Sequence, residues 1–305
     1  MLKIGIVGNG PFSDEYLDAL NQSSDFAFDG YYLINLPGRS DNHIHNNLTE
    51  PAGIRELIHT CDALFFPEVT QEVYHLITLA LKHSRHVLIG NPLNLDFRLV
   101  DDLFKLADEA NVLLKVTQTI QYDPALRRAS DFIRNPVYLE VRKESINVGE
   151  SLVEILYNSI QPAVYINQAS MKKLHAVGIP PNNGAPDVIN ARIEFNNGCV
   201  ANVTSNRYSS SERFLCRIHQ EKQYIDIDFT SQSISLTGFE ESDEVPSPEE
   251  IKVSGNYPIA EELSCFAGNI LNNSFHLNHS QSGYNTYFIS RKILEEICIV
   301  PSLFK

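Results

Sequence analysis

An almost unbroken apolar strand, turned at once by glycines, limits the fold of this chain more than any other feature. Leu2-Lys3-Ile4-Gly5-Ile6-Val7 runs into Gly8-Asn9-Gly10, and Phe12, Tyr16, Leu17 and Leu20 then recur at helical spacing. A strand with one face in water alternates polar and apolar residues. One without alternation is covered on both faces, as in parallel sheets flanked by helices. The same grammar continues through about residue 135. Further strands are expected over Phe28–Ile34, Ala63–Phe66, His86–Ile89 and Val112–Val116. The helices between them carry apolar stripes at Val73, Leu76, Ile77 and Ala80, and at Leu99, Leu103, Leu106 and Ala110, the latter opened by Asp96 as N-cap. Asp123–Arg134 is expected to be a further helix. Strands alternating with amphipathic helices specify a doubly wound α/β sheet, the Rossmann architecture.

From about Val137 the pattern changes to long antiparallel strands. Asn196-Asn197-Gly198 has the composition of a hairpin turn between Val188–Phe195 and Cys199–Ser205. Gln220–Gln223 links Phe214–His219 to Tyr224–Phe229 in the same way. Ile189, Ala191, Ile193 and Phe195 fall on one face of their strand, and Asn190, Arg192 and Glu194 on the other. The apolar face should rest on helices. The polar face, with Asn202 and Thr204, is left for solvent, a ligand or a second copy of the chain. Glu240–Glu250, with its acidic residues, Pro246 and Pro248, reads as an exposed loop, and helices near Ala260–Leu271 and Tyr284–Cys298 close the chain. The expected architecture is therefore a parallel-sheet domain over 1–135 and an α+β domain with a largely antiparallel sheet over 136–305.

Charge and cysteine usage narrow the partners. The net charge is −14 and basic residues never cluster beyond a pair, whereas nucleic acid and anionic membranes select concentrated positive charge. No apolar run approaches the roughly 18–20 residues of a membrane span. Leu2–Val7 is too short for a signal-peptide core. Cys61, Cys199, Cys216, Cys265 and Cys298 are scattered, odd in number and without metal-ligand spacing, the usage of reduced thiols in a cytoplasm. His43 and His45 lack an acid or cysteine to complete a metal set, His83 and His86 flank a turn, and His276 and His279 lie in a polar connection. No metal is expected.

Gly8-Asn9-Gly10-Pro11-Phe12-Ser13 follows a strand and opens a helix, the context in which a glycine-rich turn receives a pyrophosphate. Gly8 permits the tight turn and Gly10 the close approach of phosphate, while Pro11 removes one backbone donor. The expected cofactor is NAD or NADP. The end of the second strand should carry an acid for the ribose hydroxyls. Asn35 stands there instead, which weakens that contact, and Arg39 could meet a 2′-phosphate.

Three further stretches carry a resemblance: Asp62-Ala63-Leu64-Phe65-Phe66, His86-Val87-Leu88-Ile89-Gly90-Asn91-Pro92-Leu93 and Tyr122-Asp123-Pro124-Ala125-Leu126-Arg127-Arg128. They resemble the Gfo/Idh/MocA oxidoreductases. His175-Ala176-Val177-Gly178 and Ala191–Thr204 resemble the branch of that family that acts on nucleotide sugars, the branch of the UDP-N-acetylglucosamine 3-dehydrogenases, and Pro258–Ile270 resembles the family's closing helix. The resemblance implies a dinucleotide cofactor, a sugar-like ligand and homo-oligomers formed through the C-terminal sheet. It also implies two departures. Where the family has Glu-Lys-Pro, with the lysine beside nicotinamide and substrate, this chain has Gly90-Asn91-Pro92. Where the family has Asp-x-x-x-His, it has Glu154-Ile155-Leu156-Tyr157-Asn158.

Neither Asn91 nor Asn158 exchanges a proton at neutral pH, and one positioned acid or base is typically worth about 10²–10⁴ in rate. Glu154 and Tyr157 remain as titratable groups in the second motif. The expectation is a dinucleotide-binding oxidoreductase-type protein with weakened NAD(P) affinity and lost or altered hydride chemistry, a pseudoenzyme in the limit. The alternatives are an active sugar dehydrogenase using other acid/base residues, and a non-catalytic binding or assembly partner.

Overall fold

The structure is a computed structural model that describes residues 1–8, 14–33, 53–146, 151–180, 185–238, 248–255, 257–274 and 279–299. β1 (Leu2–Gly8), β2 (Phe26–Leu33), β3 (Ala63–Phe66), β4 (His86–Ile89) and β5 (Leu114–Val116) form one parallel sheet in the order β2-β1-β3-β4-β5. The lack of alternation is explained by burial: Ile4, Ile6, Val7, Phe65, Phe66, Val87, Leu88 and Ile89 are all at most 1% exposed. The sheet is accompanied by α1 (Asp14–Asn21), α2 (Ile54–Thr60), α3 (Gln71–Lys82) and α4 (Phe97–Ala110).

Local chemistry sets several helix ends. Thr70 caps α3 by accepting the Val73 N–H at 3.4 Å, and Asn111 ends α4 in the left-handed conformation at φ 54. The stripe of α4 differs from expectation. Val100, Leu103 and Ala107 are buried, while Leu99, Leu106 and Ala110 are only partly so. This helix has apolar residues on more than one face, and its seat on the sheet, which periodicity does not encode, selects among them. The first, second and fifth strands differ by one or two residues from their expected ends, whereas the third and fourth match. α2 was not anticipated.

The chain packs as two units. One comprises Met1–Thr119 with Tyr257–Gly283, and the other Ile120–Asn256 with Tyr284–Lys305. Division by packing therefore differs from a single cut at 135/136. α7 (Pro258–Leu271) belongs with the first sheet, where Leu263, Phe266 and Ala267 join a core with Ile4, Leu20 and Phe26.

The second unit holds a nine-stranded, largely antiparallel sheet. Its strands are β6 (Tyr138–Glu144), β7 (Met171–Ile179), β8 (Val188–Phe195), β9 (Val200–Asn206), β10 (Arg213–Gln220), β11 (Gln223–Asp228), β12 (Ser233–Gly238), β13 (Glu249–Lys252) and β14 (Cys298–Ile299). They are ordered β13-β12-β11-β10-β6-β9-β8-β7-β14, with β6–β9 and β7–β14 parallel. The hairpin forms as expected: Glu194 pairs with Val200, and Gly198 adopts φ 89. The Asn197 carboxamide oxygen accepts the Cys199 N–H at 3.1 Å.

Ile189, Ala191, Ile193 and Phe195 are buried, at most 2% exposed, against α6 (Leu152–Ile166) and α8 (His279–Glu296), which supply Leu156, Ile160, Ala163, Ile289 and Ile293 to the same core. Asn190, Arg192 and Glu194 turn to the opposite face. The expected helix over 123–134 is shorter: a 3₁₀ turn at Thr119–Tyr122 precedes α5 (Pro124–Ser130). The expected loop over 240–250 is corrected at its end. Glu249 and Glu250 open β13, an edge strand paired to Leu236 and Ser235, where charged side chains remain in water. Residues 240–247 lie outside the described residues.

Candidate functional site

In an open parallel sheet, ligands bind beyond the carboxyl ends of the strands, where the strand order reverses. Here the order reverses at β1, which has β2 on one side and β3 on the other. Gly8 is the last residue of β1 and pairs with Leu33, the last of β2. The glycine thus sits at the switch point, and α1 begins at Asp14. Asn9, Gly10, Pro11, Phe12, Asn35 and Arg39 lie outside the described residues.

Two strands along, the carboxyl end of β4 carries Gly90-Asn91-Pro92. Gly90 donates its N–H to Phe66 O at 2.8 Å. A Cβ on residue 90 would lie 1.9 Å from the Pro67 carbonyl oxygen and 2.8 Å from its carbon. Only glycine fits this close approach of two backbones. The glutamate that the resemblance puts at this position has no room without a shift of the chain. Asn91 is half-buried, and its Oδ1 accepts the Leu93 N–H at 2.9 Å, an Asx turn. Leu95 N–H closes the next turn onto Pro92 O at 2.9 Å, with Pro92, Leu93 and Leu95 buried. Asn91 therefore has a structural task besides any functional one.

The sheet end is braced from the C-terminal part of the unit. Lys115, in the middle of β5, is 1% exposed, and its Nζ lies 3.5 Å from Oε1 of Glu262 on α7, itself 0% exposed. The same Oε1 accepts the Gln118 N–H at 2.7 Å, and Gln118 Nε2 donates to Ser282 O at 3.1 Å. Burial raises the Glu262 carboxyl above its ordinary pKa, opposed chiefly by the Lys115 ammonium. Sequence reading missed this brace. The available signal was a lysine inside the apolar run Val112–Val116, since a buried cation requires a partner.

In the second unit the other motif lies on α6. Ser151 caps the helix, its Oγ accepting the Val153 N–H at 3.3 Å, and Glu154 stands three residues on, the spacing of a capping box. Glu154 is exposed in the first turn, where a negative charge is favourable at a helix N-terminus whatever the function. Tyr157 is buried at 2% exposure. Asn158, one helical step away, is half-buried, and its Oδ1 accepts from Gln161 Nε2 at 3.2 Å. Pro162 lies inside the helix. Having no N–H, it leaves the Asn158 carbonyl, its i−4 partner, without the usual helical bond. The next turn is anchored by Ser205 Oγ donating to Ser159 Oγ at 2.9 Å.

Several other titratable groups have structural roles. His83 caps α3, with its Nδ1 2.9 Å from Leu79 O. His86 Nδ1 accepts the Leu113 N–H at 3.0 Å, which requires a neutral ring with its proton on Nε2. Burial pushes its pKa down to about 4. Cys61, Cys199 and Cys216 are buried free thiols, and desolvation pushes Cys61 up to about 12. Among the described residues, no three His, Cys, Asp or Glu side chains gather as metal ligands, and no helix is long and apolar enough to cross a membrane. His43, His45 and His276 lie outside the described residues.

No family model matches the chain. The curated UDP-N-acetylglucosamine 3-dehydrogenase of Acidithiobacillus ferrooxidans is 23% identical over 188 residues, covering 59% of this chain and 59% of that relative. The match thus spans about three fifths of the relative's length. A solved UDP-N-acetylglucosamine 3-dehydrogenase from Acidithiobacillus ferrooxidans superposes with a TM-score of 0.84 at 17% identity, over 97% of both chains. A dehydrogenase (MviM) from Clostridium difficile gives 0.81 at 18% identity, over 96% of this chain and 99% of that one. KijD10, a 3-ketoreductase from Actinomadura kijaniata solved with TDP-benzene and NADP, gives 0.80 at 17%, over 98% of both. The chain has the fold of these oxidoreductases: a Rossmann-like parallel sheet joined to a largely antiparallel second sheet.

Proposed function

We propose that this chain binds NAD or NADP and a sugar-like, nucleotide-linked ligand, and that its hydride-transfer chemistry is lost or altered. Gly8, Asn9, Gly10, Pro11 and Phe12 would hold the pyrophosphate, Asn35 and Arg39 the adenosine ribose, and Pro92 would border the nicotinamide. Bound there, the cofactor would accept or give a hydride. The fit of the chain to that group rests on Gly8 at the switch point of the parallel sheet. It is supported by the NADP carried by a neighbour of the same fold.

The observation that carries the altered chemistry is the pair of asparagines at the two motif positions. The Asn91 carboxamide is tied into its own turn, and the Asn158 carboxamide to Gln161. Neither moves a proton. Exposed Glu154 reads as a capping acid and Tyr157 as packing. The polar face of the second sheet suits a second copy of the chain. One cross-strand row runs His175, Arg192, Asn202, Glu140, Arg217, Asp226 and Ser235, with charges of both signs interspersed. A cytoplasmic homodimer is the assembly this reading favours.

The test is incubation with NAD⁺ or NADP⁺ and a panel of nucleotide sugars, following absorbance of the reduced cofactor. Wild type should bind the cofactor in the micromolar-to-millimolar range by calorimetry without turnover. Asn91→Lys with Asn158→His should gain it. Wild-type turnover that survives Asn91→Ala and Asn158→Ala would overturn the reading, as would saturating NAD(P)⁺ that leaves heat signal and melting temperature unchanged.

A further inference from the structure

The Asn91 carboxamide has a fixed orientation. Its partner at 2.9 Å is the backbone N–H of Leu93, which can only donate, so the atom facing it is the oxygen and the NH2 points away. Among the described residues no partner meets that NH2, and Asn91 is only half-buried. The turn beneath it is closely packed, with Gly90 against the Pro67 carbonyl and Leu93 and Leu95 buried. β4 lies two places from β1 in the sheet. Two strand spacings are about 9.5 Å, so a dinucleotide with its pyrophosphate at Gly8 can reach the end of β4 with its nicotinamide half.

We propose that Asn91 is a preorganised neutral donor, its NH2 holding an acceptor-only carbonyl oxygen beyond the carboxyl end of β4. This rests on the cofactor-binding reading above and extends it. A lysine at this point could bind and also exchange a proton. The asparagine keeps the donor and drops the exchange. Carbonyl oxygens from two sources have this chemistry: the carboxamide of the nicotinamide and a ketone on the sugar. A donor-only group prefers the ketone relative to an alcohol, because an alcohol brings a hydrogen of its own that this group cannot accept.

Asn91→Asp separates this role from the turn. An aspartate keeps an oxygen for Leu93 N–H and removes both NH2 donors, so the melting temperature should be unchanged, whereas Asn91→Ala loses the turn as well and should melt lower. Calorimetry in two arms tests the donor. In the first, NAD⁺ is titrated into each protein. In the second, TDP-4-keto-6-deoxyglucose and its 4-hydroxyl counterpart TDP-6-deoxyglucose are compared. If the oxygen is the cofactor's, Asn91→Asp weakens NAD⁺ by about 10- to 100-fold. If it is the sugar's, NAD⁺ is unaffected and the preference for the ketone over the alcohol falls by that factor. Asn91→Asp binding all three ligands as wild type does would overturn the proposal and leave Asn91 a turn residue. Wild type that binds neither NAD⁺ nor the two nucleotide sugars would also overturn it. Wild type that binds no cofactor, yet binds the keto sugar through an Asn91→Asp-sensitive contact, would sink the cofactor reading and leave this one standing.

Discussion

Replacing Glu262 by glutamine is the sharpest probe of how the first unit is built. The side chain keeps its length and an oxygen for the Gln118 N–H, so what is lost is the charge facing Lys115. At 3.5 Å, an effective dielectric of about 20 gives roughly 5 kcal/mol of attraction, set against the cost of having desolvated both ions. Removing one partner of a buried pair costs about 3–5 kcal/mol, because the other charge is stranded. Lys115 is 1% exposed, so bulk solvent can do little to replace the lost carboxylate. At about 2–4 °C per kcal/mol for a unit of this size, Glu262→Gln should melt on the order of 10 °C lower. Lys115→Met should lose a similar amount, since it strands the carboxylate. The double variant Lys115→Met/Glu262→Gln should recover to within about 1–2 kcal/mol of wild type. The chain has no tryptophan, so urea unfolding should be followed by far-ultraviolet circular dichroism and tyrosine fluorescence. Single variants each within about 1 kcal/mol of wild type would refute the argument. So would a double variant as unstable as the sum of the singles.

Three further outcomes are expected. Gly90→Ala should cost about 3 kcal/mol or more, because its Cβ meets Pro67 backbone at 1.9 Å, whereas Gly268→Ala, inside α7 with open space around its Cβ, should stabilise by about 0.5–1 kcal/mol; thermal melts compare them. The His86 pKa is lowered to about 4 from 6.5, so the unfolded chain binds its proton first and stability falls as pH drops from 6.5 towards 4. The full shift corresponds to about 3 kcal/mol, reduced to about 1–2 by the ring's partial exposure, and urea midpoints should show a flatter pH dependence in His86→Gln. Asp123→Ala should cost about 1–2 kcal/mol, since Oδ1 caps Ala125 and Leu126 N–H and Oδ2 accepts Gln232 Nε2; Asp123→Asn, which keeps the cap but sets an NH2 against the Gln232 Nε2 donor, should melt between the two.

Part of the candidate site was legible in the chain and part was not. Gly8 could be placed at a strand end because a strand, a glycine turn and an apolar helical stripe are local patterns. Asn91 and Asn158 stood out because a motif frames each. The tie of Asn91 to Leu93 follows from a two-residue Asx turn and could have been read from Asn-Pro-Leu. The missing helical bond at Asn158 is written in Pro162, four residues on. The need for glycine at 90 could not be read, because the Pro67 carbonyl that excludes a side chain is brought there by pairing of β3 with β4.

The sequence alone determined the two kinds of sheet, since the period of apolar residues records whether a strand is covered on one face or two. It also determined the hairpin at Asn196-Asn197-Gly198, since only local backbone conformation is at stake. Tertiary structure decided which stripe of α4 is buried, that Glu249 and Glu250 join an edge strand, and that α7 belongs with the first sheet. It decided as well that Lys115 and Glu262 are partners across 147 positions of chain. Each of those outcomes depends on a surface supplied by residues distant in sequence. Local periodicity and propensity carry no information about which distant surface will arrive.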